Sequence, residues 1–191
     1  LSPTTRDLLY RSIDEEFDRL DREFPPYNAT MRRIDRAMTR TALERFVASD
    51  LTDLAELRLR PAWFEYSFGT DRHGPPQHPD PVVLELGDER IGFRGTIDRI
   101  DSTVGADPRF TNYRVVDYKS GRANSYKSLR KKIDSGHKLQ LALYAVAIEQ
   151  IFGVDAEQIS GIIKPFVPNG GGTFDASYDW SPNDSVFTSF P

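Results

Sequence analysis

The sequence predicts an α/β protein in which a central mixed β-sheet is flanked by helices and preceded by an N-terminal helical segment. Apolar residues recur at helical spacing up to about residue 60, whereas aromatic and β-branched runs separated by turn signals follow from residue 61. Later, a strand, a long apolar helix and a second strand follow one another, which favours a parallel strand pair covered by that helix. We therefore expect a helical segment over residues 1–60 and one continuous core domain over residues 61–191.

Composition restricts the class of protein further. With 38% hydrophobic residues the chain can build a real core, and its net charge of −4 argues against a surface coated with nucleic acid, though not against a local basic patch. The absence of cysteine excludes disulfides, thiolate zinc sites and cysteine-ligated iron–sulfur clusters within this chain. Without a signal-peptide pattern or a run of about eighteen apolar residues, we expect a soluble cytoplasmic protein with no membrane partner. The chain begins with Leu1 rather than methionine, so we expect a piece of something longer.

Two helices are predicted before residue 60. Ser2 and Pro3 provide a capping hydroxyl and a first-turn proline, and the helix should end at Pro25-Pro26. A second helix is expected over about residues 29–49. Its apolar residues should face inward: Ile34, Met38, Ala42, Leu43, Phe46 and Val47.

The strands come next. One is expected over residues 62–68, a hairpin over residues 82–86 and 91–100 about the Gly87-Asp88 turn, and another strand over residues 113–119. Three or four consecutive strands should therefore form an antiparallel meander.

Helices then return. A short basic helix is expected over residues 125–133, and a long apolar helix over residues 138–152 closed by Gly153. The last predicted strand, over residues 159–167, should lie parallel to its neighbour in the sheet.

One strand ends in the stretch Val115-Val116-Asp117-Tyr118-Lys119-Ser120-Gly121. Residues two apart on a strand face the same way, so Asp117 and Lys119 should lie side by side while Tyr118 points to the other face. An acid beside a base at a strand end suggests a metal ligand next to a proton-handling group. Taken alone, the pair is more typical of a surface ion pair, because such pairs are common and individually weak.

A second carboxylate lies upstream, in Gly95-Thr96-Ile97-Asp98-Arg99-Ile100-Asp101. Two adjacent antiparallel strands would bring Asp98 close to Asp117, and Gly95 would leave room for a backbone or a ligand. The alternative is an ordinary salt bridge between Asp98 and a neighbouring arginine.

Polar and basic residues follow. Gln140 and Tyr144 share a face of the long apolar helix, which favours a polar partner for both side chains. The alternative is that this face of the helix is simply exposed to solvent. A basic cluster suited to phosphate oxygens precedes them, with a solvated helix face as the alternative. Its members are Arg122, Lys127, Arg130, Lys131, Lys132 and Lys138.

Three motifs now stand in a fixed order: Gly-x-Ile-Asp-Arg-Ile-Asp, Val-Val-Asp-Tyr-Lys-Ser-Gly-Arg and Gly-x-x-Leu-Gln-Leu-x-Leu-Tyr. Over about residues 65–152 this order resembles the PD-(D/E)xK nuclease superfamily, and within it the RecB/AddB-type nuclease domain at the C-terminal end of ATP-dependent helicase–nucleases. The resemblance implies a restriction-endonuclease-like core. It also implies a Mg²⁺- or Mn²⁺-dependent deoxyribonuclease, the exonuclease module of a DNA repair and recombination complex, with DNA and a helicase domain or subunit as partners.

The resemblance also implies roles for single residues. Asp98 and Asp117 match the two metal-binding carboxylates, the main-chain carbonyl of Tyr118 matches a third metal contact, and Lys119 matches the catalytic lysine. Because carboxylates favour a charged lysine, we expect Lys119 to act mainly through position and charge, with proton transfer open to the metal-bound state.

Further positions match less closely. Gln140 and Tyr144 match the helix motif that supports the site and meets the DNA backbone, and Glu65 stands where relatives often carry a glutamate. The early-helix metal ligand of relatives is matched only by residue type, at Glu15, Glu16 or Glu44. The four cysteines that hold an iron–sulfur cluster in many AddB-type relatives are missing, so this chain holds no such cluster.

Two alternatives to a nuclease stay open at this point. The domain could be a non-catalytic module of the same fold that binds DNA or braces a larger complex. It could also be a metal- or phosphate-binding α/β protein of another fold, in which case Asp98 and Asp117 should lie far apart.

Overall fold

The structure is a computed structural model, which describes residues 1–71, 74–103, 111–122, 139–167 and 178–180. The chain divides into two compact units, Leu1–Glu56 and Leu57–Pro191. The first is helical and the second holds a mixed sheet with a covering helix, so the predicted α/β class is confirmed. No helix within the described ranges is both long and apolar enough to cross a membrane.

The helical unit consists of α1, Pro3–Glu23, and α2, Ala29–Glu56. The predicted cap of α1 is confirmed, because the Ser2 hydroxyl accepts the main-chain N–H of Thr5 at 3.1 Å. The second helix continues beyond residue 49, where the sequence predicted its end.

Ion pairs align these two helices, with α1 supplying mostly acids and α2 mostly arginines. The guanidinium groups of Arg32 and Arg36 also lie over the ring of Phe17, 4.5 and 5.3 Å from its centroid. The pairs between the helices are Arg6–Glu44, Asp14–Arg40, Asp14–Arg36, Asp18–Arg36, Asp21–Arg36 and Asp21–Arg32.

The predicted inward face of α2 is only partly correct. Phe46 is buried, but Ile34 is 45% and Met38 is 66% exposed, so their predicted inward orientation is wrong. The reason is that long arginines and their carboxylate partners occupy the surface between α1 and this part of α2.

The second unit begins with five strands, followed by a helix, a 3₁₀ turn and two strands. In order these are β1 Leu59–Phe68, β2 Val82–Leu86, β3 Glu89–Phe93, β4 Gly95–Thr103, β5 Tyr113–Arg122, α3 Gln140–Phe152, the 3₁₀ turn Ala156–Gln158, β6 Ile159–Val167 and β7 Tyr178–Trp180. The predicted basic helix over residues 125–133 lies outside the described residues.

The strand order in the main sheet is β1-β4-β5-β6-β7. All neighbouring strands are antiparallel except β5 and β6, which are parallel as predicted. The predicted meander is wrong, because β2 and β3 form a hairpin of their own and β4 returns to pair with β1.

Local geometry explains why the hairpin leaves the sheet. Gly69, directly after β1, has a left-handed φ of 60°, and a β-carbon there would lie 2.9 Å from the Cα of Pro81. The chain therefore turns away from β1 at this glycine. The hairpin is then attached to α3 by two hydrogen bonds of the Gln150 side chain. Its Oε1 accepts the main-chain N–H of Val83, and its Nε2 donates to the carbonyl of the same residue.

The core lies between α3 and the sheet. At Gly161 on β6, an added β-carbon would lie 3.4 Å from the side chain of Leu141, so the helix approaches this strand closely. The helix ends at Gly153 with φ 64°, as predicted. Its packing places Gln140 and Tyr144, in its first turns, close to β4 and β5.

Candidate active site

The candidate site lies where β4 and β5 stop pairing. Main-chain pairing of these strands runs from Ser102–Tyr113 to Arg99–Val116. Beyond that point a side chain replaces the ladder, because Oδ2 of Asp98 accepts the main-chain N–H of Tyr118 at 2.7 Å. The carboxylate of Asp98 is thereby held against the peptide that follows Asp117, so the two acids are close together. The alternative of another α/β fold, in which Asp98 and Asp117 lie far apart, is wrong.

The acid and the base of β5 lie side by side, as predicted. Nζ of Lys119 lies 2.7 Å from Oδ1 of Asp117. The side chain of Asp117 is 2% exposed and that of Lys119 is 28% exposed. A buried carboxylate is costly to keep charged unless it is paired, so this pair is not the ordinary surface ion pair that the stretch alone would suggest.

A chain of hydrogen bonds connects Lys119 to β4 through the helix. Nζ of Lys119 donates to Oε1 of Gln140 at 3.1 Å, and Nε2 of Gln140 donates to the Tyr144 hydroxyl at 3.1 Å. The Tyr144 hydroxyl donates to the carbonyl of Thr96 at 2.7 Å. The chain runs from an ammonium donor to a main-chain acceptor, so each group has one orientation. The predicted polar partner of Gln140 and Tyr144 is therefore Lys119 together with the β4 backbone.

The space above Gly95 is filled by the protein itself. A β-carbon at this position would lie 3.5 Å from the rings of both Phe68 and Tyr144. These rings meet edge to face, with centroids 6.5 Å apart. The sequence predicted room at Gly95 for a backbone or a ligand, but in the structure the rings of Tyr144 and Phe68 occupy this space.

Burial raises the pKa of the Tyr144 phenol above its usual value of 10.0, and the nearby carboxylates of Asp98, Asp117 and Glu65 raise it further. The hydrogen bond from Gln140 lowers the pKa and only partly offsets these effects. The phenol therefore stays protonated and keeps donating to the Thr96 carbonyl. These three carboxylates therefore lie near enough to the phenol for their charges to affect its pKa.

A prediction concerns alkaline pH. Because the phenol's pKa is higher in the folded than in the unfolded chain, its contribution to stability is full below pH about 10 and is lost as the pH rises through the folded value. Subtracting the ultraviolet alkaline titration of Tyr144→Phe from that of the wild type isolates this phenol. We expect its midpoint above pH 10; a midpoint at or below 10 contradicts the buried environment.

Glu65 lies at the rim of the site. It is exposed, and its φ of 48° is left-handed, which is uncommon for a residue other than glycine. The register that pairs Phe64 with Arg99 and Tyr66 with Ile97 places Glu65 opposite Asp98 on the neighbouring strand. This position agrees with the effect of its charge on Tyr144.

Other predicted residues are not brought to this site by the described structure. Lys127, Arg130, Lys131, Lys132 and Lys138 lie outside the described residues, and Arg122 is described only as the last residue of β5. Their predicted contact with phosphates stays a prediction.

The early-helix candidates belong to the helical unit. Glu16 pairs with Arg19, and Glu44 accepts hydrogen bonds from Arg6 and Tyr10. Glu15 is exposed. Nothing in their contacts within the unit singles out a metal ligand.

Sequence reasoning missed a buried charge cluster next to the site. Asp101 is fully buried, with Oδ1 2.8 Å from Nε of Arg99 and Oδ2 2.8 Å from Nη2 of Arg114. Arg99 also donates from Nη1 to the Tyr118 hydroxyl at 2.7 Å. The available signal was charge at alternate positions of an otherwise apolar strand, which indicates a polar network on one face.

The oxygen donors suit a hard divalent cation. Within the described ranges, no three histidine, cysteine, aspartate or glutamate side chains lie close enough together to hold a metal ion. Mg²⁺, however, commonly uses one or two carboxylates and fills its other positions with water and substrate oxygens. Asp98 is bound to the peptide that follows Asp117, so these two carboxylates could supply ligands of this kind, as could the main-chain carbonyl of Tyr118.

The fold and this site together define a class of protein. The family model of the PD-(D/E)XK nuclease superfamily matches residues 2–167, and the chain belongs to this superfamily. The predicted resemblance is thereby confirmed, and the match covers the helical unit from residue 2 as well as strands β1 to β6.

A curated relative is similar over much of the chain. It is an ATP-dependent helicase/deoxyribonuclease subunit from Symbiobacterium thermophilum, which is 35% identical over 150 residues. The aligned region covers 75% of this chain but 12% of that protein, so the chain spans a small part of the relative's length.

Proposed function

We propose that the chain is a metal-dependent deoxyribonuclease, the exonuclease module of a helicase–nuclease that acts in DNA repair and recombination. The observation that carries this proposal is the meeting of Asp98, Asp117 and Lys119 where β4 and β5 separate. Superfamily membership adds the reaction class, phosphodiester hydrolysis. We assign the reaction to the core domain over residues 61–191, with residues 1–60 as its helical segment.

In this proposal Asp98, Asp117 and the Tyr118 carbonyl hold Mg²⁺ or Mn²⁺. A bound ion of this kind supplies an activated water and neutralises charge on the phosphoryl oxygens. Negative charge on two buried or half-buried carboxylates is the protein's contribution to holding the cation.

Lys119 acts as a fixed cation in this proposal. Its Nζ donates to both Asp117 and Gln140, and these two hydrogen bonds fix the position of the charged group. The charge therefore stands beside the site, where it stabilises the developing phosphoryl charge and orients water. Gln140 and Tyr144 restrict where the long lysine side chain can lie.

The proposed partners follow from the basic cluster and from the relative. In this proposal DNA phosphates are contacted by Gln140 and Tyr144 and also by five basic residues, which are Arg122, Lys127, Arg130, Lys131 and Lys138. The relative's name couples a helicase with a deoxyribonuclease, which supports a helicase domain or subunit as the protein partner.

The test is hydrolysis of end-labelled single- and double-stranded DNA in Mn²⁺ or Mg²⁺ by the wild type and Asp117→Ala. We expect Asp117→Ala to lower the rate about a thousandfold or more, because it removes a metal ligand and the partner of Lys119. Arg90→Met is the control, since Arg90 lies on the β2–β3 hairpin and is 72% exposed.

The outcomes separate the proposal from its alternative. Metal-dependent cleavage by the wild type and Arg90→Met, lost in Asp117→Ala, supports the nuclease. Three results together select the non-catalytic DNA-binding or structural module instead. The wild type cleaves no DNA, its DNA affinity does not depend on Mn²⁺, and calorimetry detects no heat of Mn²⁺ binding.

A further inference from the structure

Tyr118 is held from both faces of the sheet. On the face of Asp117 and Lys119, its main-chain N–H donates to Oδ2 of Asp98 at 2.7 Å. On the other face, its hydroxyl accepts a hydrogen bond from Nη1 of Arg99 at 2.7 Å. Asp98 and Arg99 are consecutive on β4, so alternation along one strand delivers both contacts.

Arg99 is itself fixed in one orientation. It is 2% exposed, and its Nε and Nη2 lie 2.8 and 3.2 Å from the two carboxylate oxygens of Asp101. Arg114 on β5 binds the same carboxylate at 2.8 Å. The guanidinium carbon lies 5.5 Å from the centroid of the Tyr118 ring, and this ring stacks on Phe166 with centroids 5.3 Å apart. A planar fork bound along several directions cannot swing away.

The position of Tyr118 matters because main-chain pairing between β4 and β5 ends at Arg99–Val116. On its other side β5 stays paired with β6 in regular register as far as Lys119–Pro165, and the pairing resumes at Arg122–Val167. The end of β5 is therefore fixed to β6 by the backbone, whereas beyond Val116 its connections to β4 are made by side chains. Asp98 and Arg99 hold Tyr118 directly, and Lys119 reaches β4 through Gln140 and Tyr144. Asp117 and Lys119 are one peptide away on either side.

We propose that Arg99 is a positioning residue that, through the Tyr118 hydroxyl, sets the spacing between Asp98 and the Asp117–Lys119 pair. The inference rests on the proposed nuclease function for its kinetic consequence. Its structural consequence, a firmly held Tyr118 N–H, does not depend on that function.

Tyr118→Phe tests the contact with the smallest change, since it keeps the ring and its stacking and removes the hydroxyl. We expect kcat for DNA hydrolysis in Mn²⁺ to fall about tenfold while KM for DNA stays within about twofold, because Arg99 lies on the face away from Lys119. The dissociation constant for Mn²⁺ in calorimetry should rise several-fold. Tyr113→Phe, at the start of the same strand with its ring stacked on Phe152, should match the wild type.

A second readout needs neither metal nor activity. In the ion-free protein, hydrogen exchange followed by NMR should be about tenfold faster at the amide of residue 118 in Tyr118→Phe, with the amide of Val116 unchanged. The inference is wrong if the amide of residue 118 in Tyr118→Phe exchanges at the wild-type rate. It is also wrong if exchange at the amide of residue 116 is accelerated by the same factor. If the wild type cleaves no DNA but this local acceleration is seen, the nuclease proposal fails and the positioning role of Arg99 stands.

A pair of arginine variants separates positioning from general stability. Arg99→Lys keeps the charge but loses the planar guanidinium that binds both Asp101 and the Tyr118 hydroxyl. Arg114→Lys changes the other guanidinium that binds the Asp101 carboxylate. Both should lower the unfolding midpoint, but only Arg99→Lys should also lower kcat and speed exchange at residue 118. Equal effects of the two variants on kcat or on this amide contradict the positioning role.

Discussion

Lys119→Met is expected to abolish DNA hydrolysis, by about a thousandfold or more, while Mn²⁺ binding is retained or becomes tighter. The ammonium of Lys119 lies 2.7 Å from Asp117, so it opposes a second cation at that carboxylate. Removing it lowers the repulsion for Mn²⁺ but takes away the charge that stabilises the phosphoryl group in the reaction. Catalysis should therefore be lost without any loss of Mn²⁺ binding.

The measurement pairs calorimetric titration of Mn²⁺ with single-turnover cleavage of labelled DNA. Arg90→Met removes one positive charge from an exposed position and controls for net charge. Cleavage by Lys119→Met at more than about a tenth of the wild-type rate would contradict the role assigned to this lysine. Loss of Mn²⁺ binding would instead assign it to the metal site.

Asp101→Asn is expected to lower the free energy of unfolding by about 3–5 kcal/mol. Asp101 is fully buried and is the carboxylate that Arg99 and Arg114 share. The change is nearly isosteric, so its cost comes from two buried guanidinium charges that lose their counter-charge. Urea unfolding followed by tryptophan fluorescence suits this test, because Trp63 and Trp180 both belong to the second unit.

Glu85→Gln is the matched control for that experiment. It breaks an ion pair with Arg90 in the same unit, but both side chains are 72% exposed and 3.5 Å apart. Exposed pairs contribute about 0–1 kcal/mol, so the midpoint should hardly move. Similar losses in Asp101→Asn and Glu85→Gln would mean that burial does not decide the strength of this cluster.

Sequence patterns with a short range predicted much of the structure. Ser2 as the cap of α1, Gly153 as the end of α3, and the side-by-side placement of Asp117 and Lys119 each depend on residues a few positions apart. The order of strand, helix and strand also predicted the parallel pairing of β5 and β6. For the site, the antiparallel pairing of two adjacent strands also predicted that Asp98 lies close to Asp117. Their metal-binding roles, in contrast, came from the order of motifs.

The predictions that failed depend on contacts distant in sequence. The meander was wrong because Gly69 turns the chain out of β1, so that β4 and not β2 becomes its neighbour. Ile34 and Met38 were placed inward because apolar spacing shows which face of a helix is apolar, but not what opposes it.

By itself the sequence determined the fold class, the positions of the acids and the lysine along their strands, and the superfamily. Only the tertiary structure decided that β4 and β5 part at Val116, that Asp98 takes the N–H of Tyr118, and that Arg99 holds its hydroxyl. The physical reason is that periodicity and turn chemistry act within a few residues. The end of a strand ladder, in contrast, is set by the packing of segments about twenty positions apart and by the buried charges that hold them.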